Sequence, residues 1–431
     1  MPLLSEYPLR QRLNDELHAR PPMVLGDAEW ISYLAVLHEG ATEGDEEAHL
    51  GRLCASLGCA GNLSTRGDHR VLEAGRLRLK WERHNEFSGY TFFMCRDAAD
   101  GPDTTALSAL PEGWMAGLPG RVIVATHVEL RPAGEAPQEE LEAESSPGGH
   151  SLVASLAADG AAWVASDFRL RDGWGRFLVL DESMTRRQAG RTVQRVLEIE
   201  TYRMMALLAF PAAKEVSALL SRAEQELAAL MERMGSSRSP EDERALLADL
   251  TRLASEVERS VARSAFRFGA AEAYFALVQQ RIGDLRERRL PGFPTIQEFM
   301  DRRLAPAINT CLSVARRQDA LSERVSRQSA LLRTRVDMEL ARQNQEVLLQ
   351  MNQRARVQLR LQETVERFSV VVITYYASLL VYRLAEALYK THHIVWLPEV
   401  IAAVSIPIIG IAVAWGTHRM RKKLTREADA V

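Results

Sequence analysis

Two uncharged apolar stretches near the C-terminus constrain this chain more than any other feature. FSVVVITYYASLLVY, Phe368 to Tyr382, is followed by RLAEAL, and VIAAVSIPIIGIAVAWGT runs from Val400 to Thr417. At 1.5 Å per residue, crossing a bilayer core takes about 20 residues, with a usual range of about 17 to 25. The second stretch meets that length alone; the first meets it when Arg383 snorkels at its end. Tyr375, Tyr376, Tyr382, Tyr389, Trp396 and Trp415 supply aromatic residues, several near the expected interfaces. The expectation is a two-helix transmembrane hairpin, with spans over 368–388 and 395–418 and an external loop over 389–394.

Flanking charge orients the hairpin. Arg419, Arg421, Lys422, Lys423 and Arg426 make 419–431 a basic tail, and Arg354, Arg356, Arg360 and Arg367 precede the first span. The connection YKTHHI carries only Lys390 as a fixed positive charge. The positive-inside rule therefore places both termini in the cytoplasm, with about 365 residues ahead of the anchor. MPLLSEYPLRQRLNDE lacks an apolar run, so no signal peptide is expected.

A chain of 431 residues is long for one core, and two or more structural units are expected. A net charge of -3 argues against a general nucleic-acid binder. Of 54 basic residues only Lys80, Lys214, Lys390, Lys422 and Lys423 are lysines, leaving 49 arginines. That bias makes a lone arginine weak evidence of anion binding. Cys54, Cys59, Cys95 and Cys311 form no C-x-x-C pair and read as reduced thiols.

An α+β cytoplasmic domain is expected over 1–183, a long-helix stalk or bundle over 184–367, and then the hairpin. Tyr7 to Ala19 spaces Leu9, Leu13 and Leu17 as a helix ended by Pro21-Pro22. Glu29 to His38 reads as a buried strand and Asp45 to Leu57 as an amphipathic helix. Arg76 to His84, with Leu77, Leu79 and Trp81 inward, pairs with Tyr90 to Cys95 as a hairpin. Arg121 to Leu130 is a further strand, and 132–150 reads as an acidic mobile loop. Ala161 to Leu170 and Arg176 to Asp181 form a second hairpin around DGWG.

From Thr185 the pattern is helical: one segment to Met234 kinked at Pro211, another from Pro240 to about Arg289, capped by Ser239. After LPGFP, TIQE offers a capping box to a last helix running through the first span, with Pro306 as its one point of interruption. Continuous to Tyr389, it would measure about 140 Å. Val325, Leu332, Val336, Leu340, Val347 and Met351 recur along it at heptad-like spacings, to pack on preceding helices or on other subunits.

Familiar catalytic and nucleotide motifs are missing: no G-x-x-x-x-G-K-[ST], no G-x-G-x-x-G after a strand, no H-E-x-x-H and no G-x-S-x-G. Adjacent His392 and His393 point apart on a helix and make no chelate. No metal site, cofactor or catalytic residue is assigned, and enzymatic activity stays open with a lean against it. NDELHARPP nonetheless crowds Glu16, His18 and Arg20 together; on a helix Glu16 and Arg20 pair while His18 points elsewhere. RVLEIETYR likewise offers Arg195 to Glu198 and Glu200 to Arg203. Glu16, His18, Arg20, Glu198, Glu200 and Arg203 are thus a candidate polar docking cluster, fixing helix register when buried or binding a polar ligand when facing a cleft. An unfamiliar catalytic site on Glu16, His18, Arg20 and Glu200 is a third reading.

PLRQRLNDELHARPP, SDFRLRDGWGRFLVLD and GRTVQRVLEIETYRMMALLAFP, in this order before a C-terminal hairpin, resemble the bacterial domain of unknown function 3422 family of membrane-anchored proteins. The resemblance covers nearly the whole chain and implies an inner-membrane location, with no catalytic residues to carry over. A remoter architectural similarity is to CorA-type magnesium transporters: WLPEV looks like their acidic loop segment. EALYKT stands where their Gly-Met-Asn signature belongs. On that alternative, Thr374, Tyr375 and Ser378 would line a pore with Glu386 and Glu399 at its mouth. The leading expectation is a membrane-anchored, homo-oligomeric scaffold, sensor or adaptor, with the lipid bilayer as a partner and no nucleic acid.

Overall fold

The structure is a computed structural model that describes residues 7–11, 13–14, 21–59, 64–66, 69–101, 104–144, 152–236, 239–390 and 397–428. The chain divides into two compact units, one of residues 1–238 and 245–330, the other of 239–244 and 331–431.

The first unit is built on ten strands: β1 (Glu29–Leu37), β2 (Ser64–Arg66), β3 (His69–Ala74), β4 (Leu77–Arg83), β5 (Phe87–Cys95), β6 (Arg121–Pro132), β7 (Val153–Ala157), β8 (Ala162–Ser166), β9 (Gly175–Asp181) and β10 (Arg288–Arg289). They form one sheet in the order β10-β7-β8-β9-β6-β1-β5-β4-β3-β2. Every pairing is antiparallel except β6 with β9. Both expected hairpins form, β4 with β5 and β8 with β9.

Two apolar clusters cover one face. Helix α1 (Glu43–Ser56) starts at a Thr42–Asp45 capping box and lays Leu50 and Leu53 on Leu34, Leu79, Trp81, Tyr90 and Phe92. Helix α2 (Pro137–Glu144) buries Leu141 against Ala165, Leu178, Leu180 and Leu290. Part of the stretch expected as a loop is therefore helical: Leu141 has a core to enter, and Arg131 holds Glu140 at 2.5 Å.

The opposite face meets helix α3 (Arg186–Leu207), which begins at a Thr185–Gln188 capping box and buries Val193, Val196, Leu197 and Thr201. Leu208 breaks it from α4 (Ala209–Ser236), three residues before Pro211, whose ring cannot accommodate the carbonyl four residues earlier. Helices α5 (Pro240–Leu285), α6 (Ile296–Arg303) and α7 (Ala305–Lys390) follow, and the Thr295–Glu298 capping box forms as expected. Within this unit α4, α5 and α7 are tied by Arg317 to Glu224 at 2.5 Å and by Gln318 Nε2 donating to Ser260 Oγ at 2.9 Å. Leu227, Leu253, Val257, Leu321 and Val325 fill the space between them.

The second unit holds the remainder of α7 and helix α8 (Pro398–Ala428). The helices over 296–390 and 398–419 are long and apolar enough to cross a membrane, and their apolar stretches are almost entirely exposed. Residues 186–236 also meet that length and composition, but they carry core residues packed on the sheet. A Cβ on Gly410 would lie 3.7 Å from Thr374 Cγ2, so the two apolar helices touch at a pair of small residues.

Candidate ligand site beneath helix α3

The register across β1, β5 and β4 sets Tyr33 opposite Thr91, and Thr91 opposite Lys80. This polar row crosses the middle of the sheet on the face that α3 covers. α3 does not close down on it: a cavity of about 240 Å³ remains. Phe87, Phe93, Val193 and Leu197 form its apolar wall, while Glu82, Gln194, Glu198, Thr201 and Arg281 supply polar groups.

Lys80 is only 3% exposed, and its Nζ lies 2.9 Å from Glu82 Oε1. Two ammonium N–H groups remain unspent among the described residues, since an ammonium has three donors. Thr91, also buried, makes no hydrogen bond through its hydroxyl there. Gln194 donates from Nε2 to Glu198 Oε1 at 2.8 Å, leaving its buried Oε1 without a partner. Glu198 also accepts from Arg281, which reaches Asp284 at 3.2 Å. Tyr33 is spent: Thr201 Oγ1 gives its proton to Leu197 O at 2.8 Å and sits 3.1 Å from the phenol oxygen. Burial holds the Tyr33 phenol far above its usual range, so it stays neutral.

The chain entering this region is tightly pinned. Leu25 N donates to Arg186 O, Arg78 Nη1 donates to Val24 O at 2.8 Å, and Gly190 lets α3 pass against the carbonyl of Met23. Arg78 Nη2 also donates to both oxygens of the fully buried Glu29, at 2.6 and 2.7 Å.

A second cavity, of about 330 Å³, opens on the other face, between the two apolar clusters. His127 lies on it, stacked on Trp174 at 4.1 Å and bonded through Nδ1 to Ser32 Oγ at 2.8 Å. Burial, helped by Arg176, lowers its pKa to about 4. The SDFRLRDGWG turn borders this cavity with Phe168 at φ 52°, a left-handed backbone that bulky residues rarely adopt. Stacking of its ring on Phe299 at 4.6 Å and the Arg203 guanidinium over it hold it there. This cavity's arginines, Arg171 and Arg176, are exposed, and Arg171 is paired with Asp167 at 2.8 Å. Each cavity is lined by a residue with one buried polar atom that lacks a partner among the described residues, Gln194 Oε1 beneath α3 and Trp30 Nε1 at the second, but the cavity beneath α3 adds the buried ammonium of Lys80, which makes it the stronger candidate.

Glu16, His18 and Arg20 lie outside the described residues, as does the expected external loop from 391 on. Glu198 and Glu200 point different ways: Glu198 lines the cavity, while Glu200 is buried near Gly175 and takes a bidentate bond from Arg203 at 2.5 Å. The expected Glu200–Arg203 pair therefore forms. The expected Arg195–Glu198 pair does not, because Arg281 and Gln194 occupy that carboxylate. Thr374 donates to Val370 O at 2.7 Å and Ser378 to Tyr375 O at 2.9 Å, both within their own helix. Tyr375 is exposed, Glu386 pairs with Lys390 at 3.0 Å, and Glu399 lies in the first turn of α8. Among the described residues no three His, Cys, Asp or Glu side chains are grouped to hold a metal ion.

The sequence matches the family described as protein of unknown function (DUF3422) over residues 5–424. The chain belongs to the DUF3422 family. No functionally curated protein matches it significantly. The DUF3422 match lends no support to the resemblance to CorA-type transporters. In this DUF3422 protein, the stretch GRTVQRVLEIETYR roofs the first cavity and SDFRLRDGWGRF borders the second.

Proposed function

We propose that this protein is a membrane-anchored sensor of the bacterial inner membrane. Its α+β unit takes up a small ligand beneath α3, and its C-terminal helices hold it in the bilayer with both termini in the cytoplasm. The observation that carries the anchor is the exposed apolar surface of those helices, including Phe368, Val371, Leu380, Ile408, Ile411 and Trp415. A patch of that extent is stable only against lipid or protein. The cavity, with its unspent Lys80, Thr91 and Gln194 groups, favours a sensor over a scaffold without a ligand.

Self-association is the second part of the reading. Met338, Val347, Leu348, Met351, Leu361 and Val365 are exposed on α7 ahead of the apolar stretch, a surface suited to copies of the same helix. Alkaline carbonate extraction of membranes tests the anchor: the protein stays in the pellet, and release into the supernatant contradicts it. Light scattering in detergent gives a mass of two or more chains; a strict monomer removes the self-association.

A further inference from the structure

We infer that the cavity beneath α3 binds a free α-amino acid as its zwitterion. The inference rests on the sensor reading and names the ligand class for that site. It starts from the choice of lysine at position 80. This chain uses arginine at 49 of its 54 basic positions, yet its most buried basic side chain lining the cavity is one of five lysines. A guanidinium spreads its charge over a planar fork, whereas an ammonium concentrates three donors on one atom. One of those donors goes to Glu82, and Lys80 lines the cavity together with Thr91, whose hydroxyl has no partner among the described residues.

Directly opposed residues on antiparallel strands have Cβ atoms about 5 Å apart, so Lys80 and Thr91 converge on one ligand group. Donors from an ammonium and a hydroxyl suit a carboxylate. The acceptors are of the other kind: on the roof Gln194 has a buried Oε1 without a partner among the described residues, and on the floor Glu82, which meets Lys80 through Oε1, has a second carboxylate oxygen. They suit an ammonium. The charges balance without a ligand, Lys80 against Glu82 and Arg281 against Glu198. A zwitterion enters without adding net charge to a partly desolvated space, while a simple anion or cation would leave one charge unmatched. At about 240 Å³ the space is smaller than the roughly 300–1,000 Å³ of pockets for drug-sized ligands, and the apolar wall of Phe87, Phe93 and Leu197 can receive a side chain.

The test uses the full-length protein in detergent, with the twenty common amino acids as probes in thermal unfolding and calorimetric titration. Lactate, propionate and ethylamine are the hydroxy-acid, acid-only and amine-only comparisons. At least one amino acid stabilises the protein and binds, and the three comparisons do not. Lys80→Met weakens that binding tenfold or more, and Thr91→Val weakens it several-fold. Thr91→Val replaces a hydroxyl that makes no hydrogen bond among the described residues, so it folds normally and keeps the test decisive if Lys80→Met does not fold. Binding untouched by both substitutions overturns the site. Tight binding of lactate or propionate instead overturns the zwitterion and leaves the sensor reading standing. No stabilisation by any probe, with native mass spectrometry finding no co-purified small molecule, overturns both.

Discussion

Gly190 on α3 passes so close to the carbonyl oxygen of Met23 that a Cβ at position 190 would collide with it. Backbone faces backbone at this point, so neither side can relieve the clash by changing a rotamer. The contact fixes α3 against the segment that leads from the N-terminal motif into β1, and so fixes the roof of the cavity. Gly190→Ala should cost about 1–3 kcal/mol of stability, as overpacking does in well-packed interiors. Urea unfolding of the full-length protein in detergent checks this; a loss below about 0.5 kcal/mol, the size of an ordinary surface substitution, would contradict it.

Glu29 is fully buried and receives two bonds from Arg78 and one from Gly26 N at 2.6 Å. Glu29→Gln keeps the shape but leaves the guanidinium without its counter-charge. Breaking one side of a buried pair typically costs about 3–5 kcal/mol, whereas replacing both partners by apolar residues costs far less. The double variant Glu29→Leu/Arg78→Leu should therefore be more stable than Glu29→Gln. Equal midpoints for the single and double variants would refute the pairing argument.

His127 gives the fold a defined acid sensitivity. Burial holds its pKa at about 4, below the ordinary 6.5, so the unfolded chain binds more protons between those values. Stability from this residue is complete above about pH 6.5 and declines as the pH falls towards 4. The full loss is on the order of 3 kcal/mol. His127→Gln should flatten the thermal midpoint over pH 4 to 6.5 relative to the wild type. An unchanged slope would place the sensitivity elsewhere.

Much of the fold was legible because patterning and caps agreed. The capping box at Thr295, the hairpins of β4–β5 and β8–β9, and the break before Pro211 all rest on local rules. The site was less legible. Alternation in β4 correctly turned Leu77, Leu79 and Trp81 inward but says nothing of what meets Lys80 on the opposite face. Both faces of this sheet are covered, so Lys80 is buried as well. The scarcity of lysine was the available signal, yet nothing local said which lysine mattered. Tyr33, Thr91, Gln194 and Arg281 meet Lys80 only through strand register and helix packing, and Arg281 comes from 83 residues beyond Glu198. The Arg195–Glu198 expectation failed for the same reason, since a long-range partner outcompeted the local one.

The proposed membrane anchor, with the α+β unit in the cytoplasm, is tested most directly by a native cysteine. Cys95 is exposed on the α+β unit, while Cys54, Cys59 and Cys311 are buried. A membrane-impermeant maleimide applied to spheroplasts should leave the protein unlabelled while they are intact and label it once at Cys95 after lysis, with the protein in the membrane pellet. Labelling of Cys95 in intact spheroplasts, or recovery of the protein in the soluble fraction, would contradict a cytoplasmic sensor held by a C-terminal anchor.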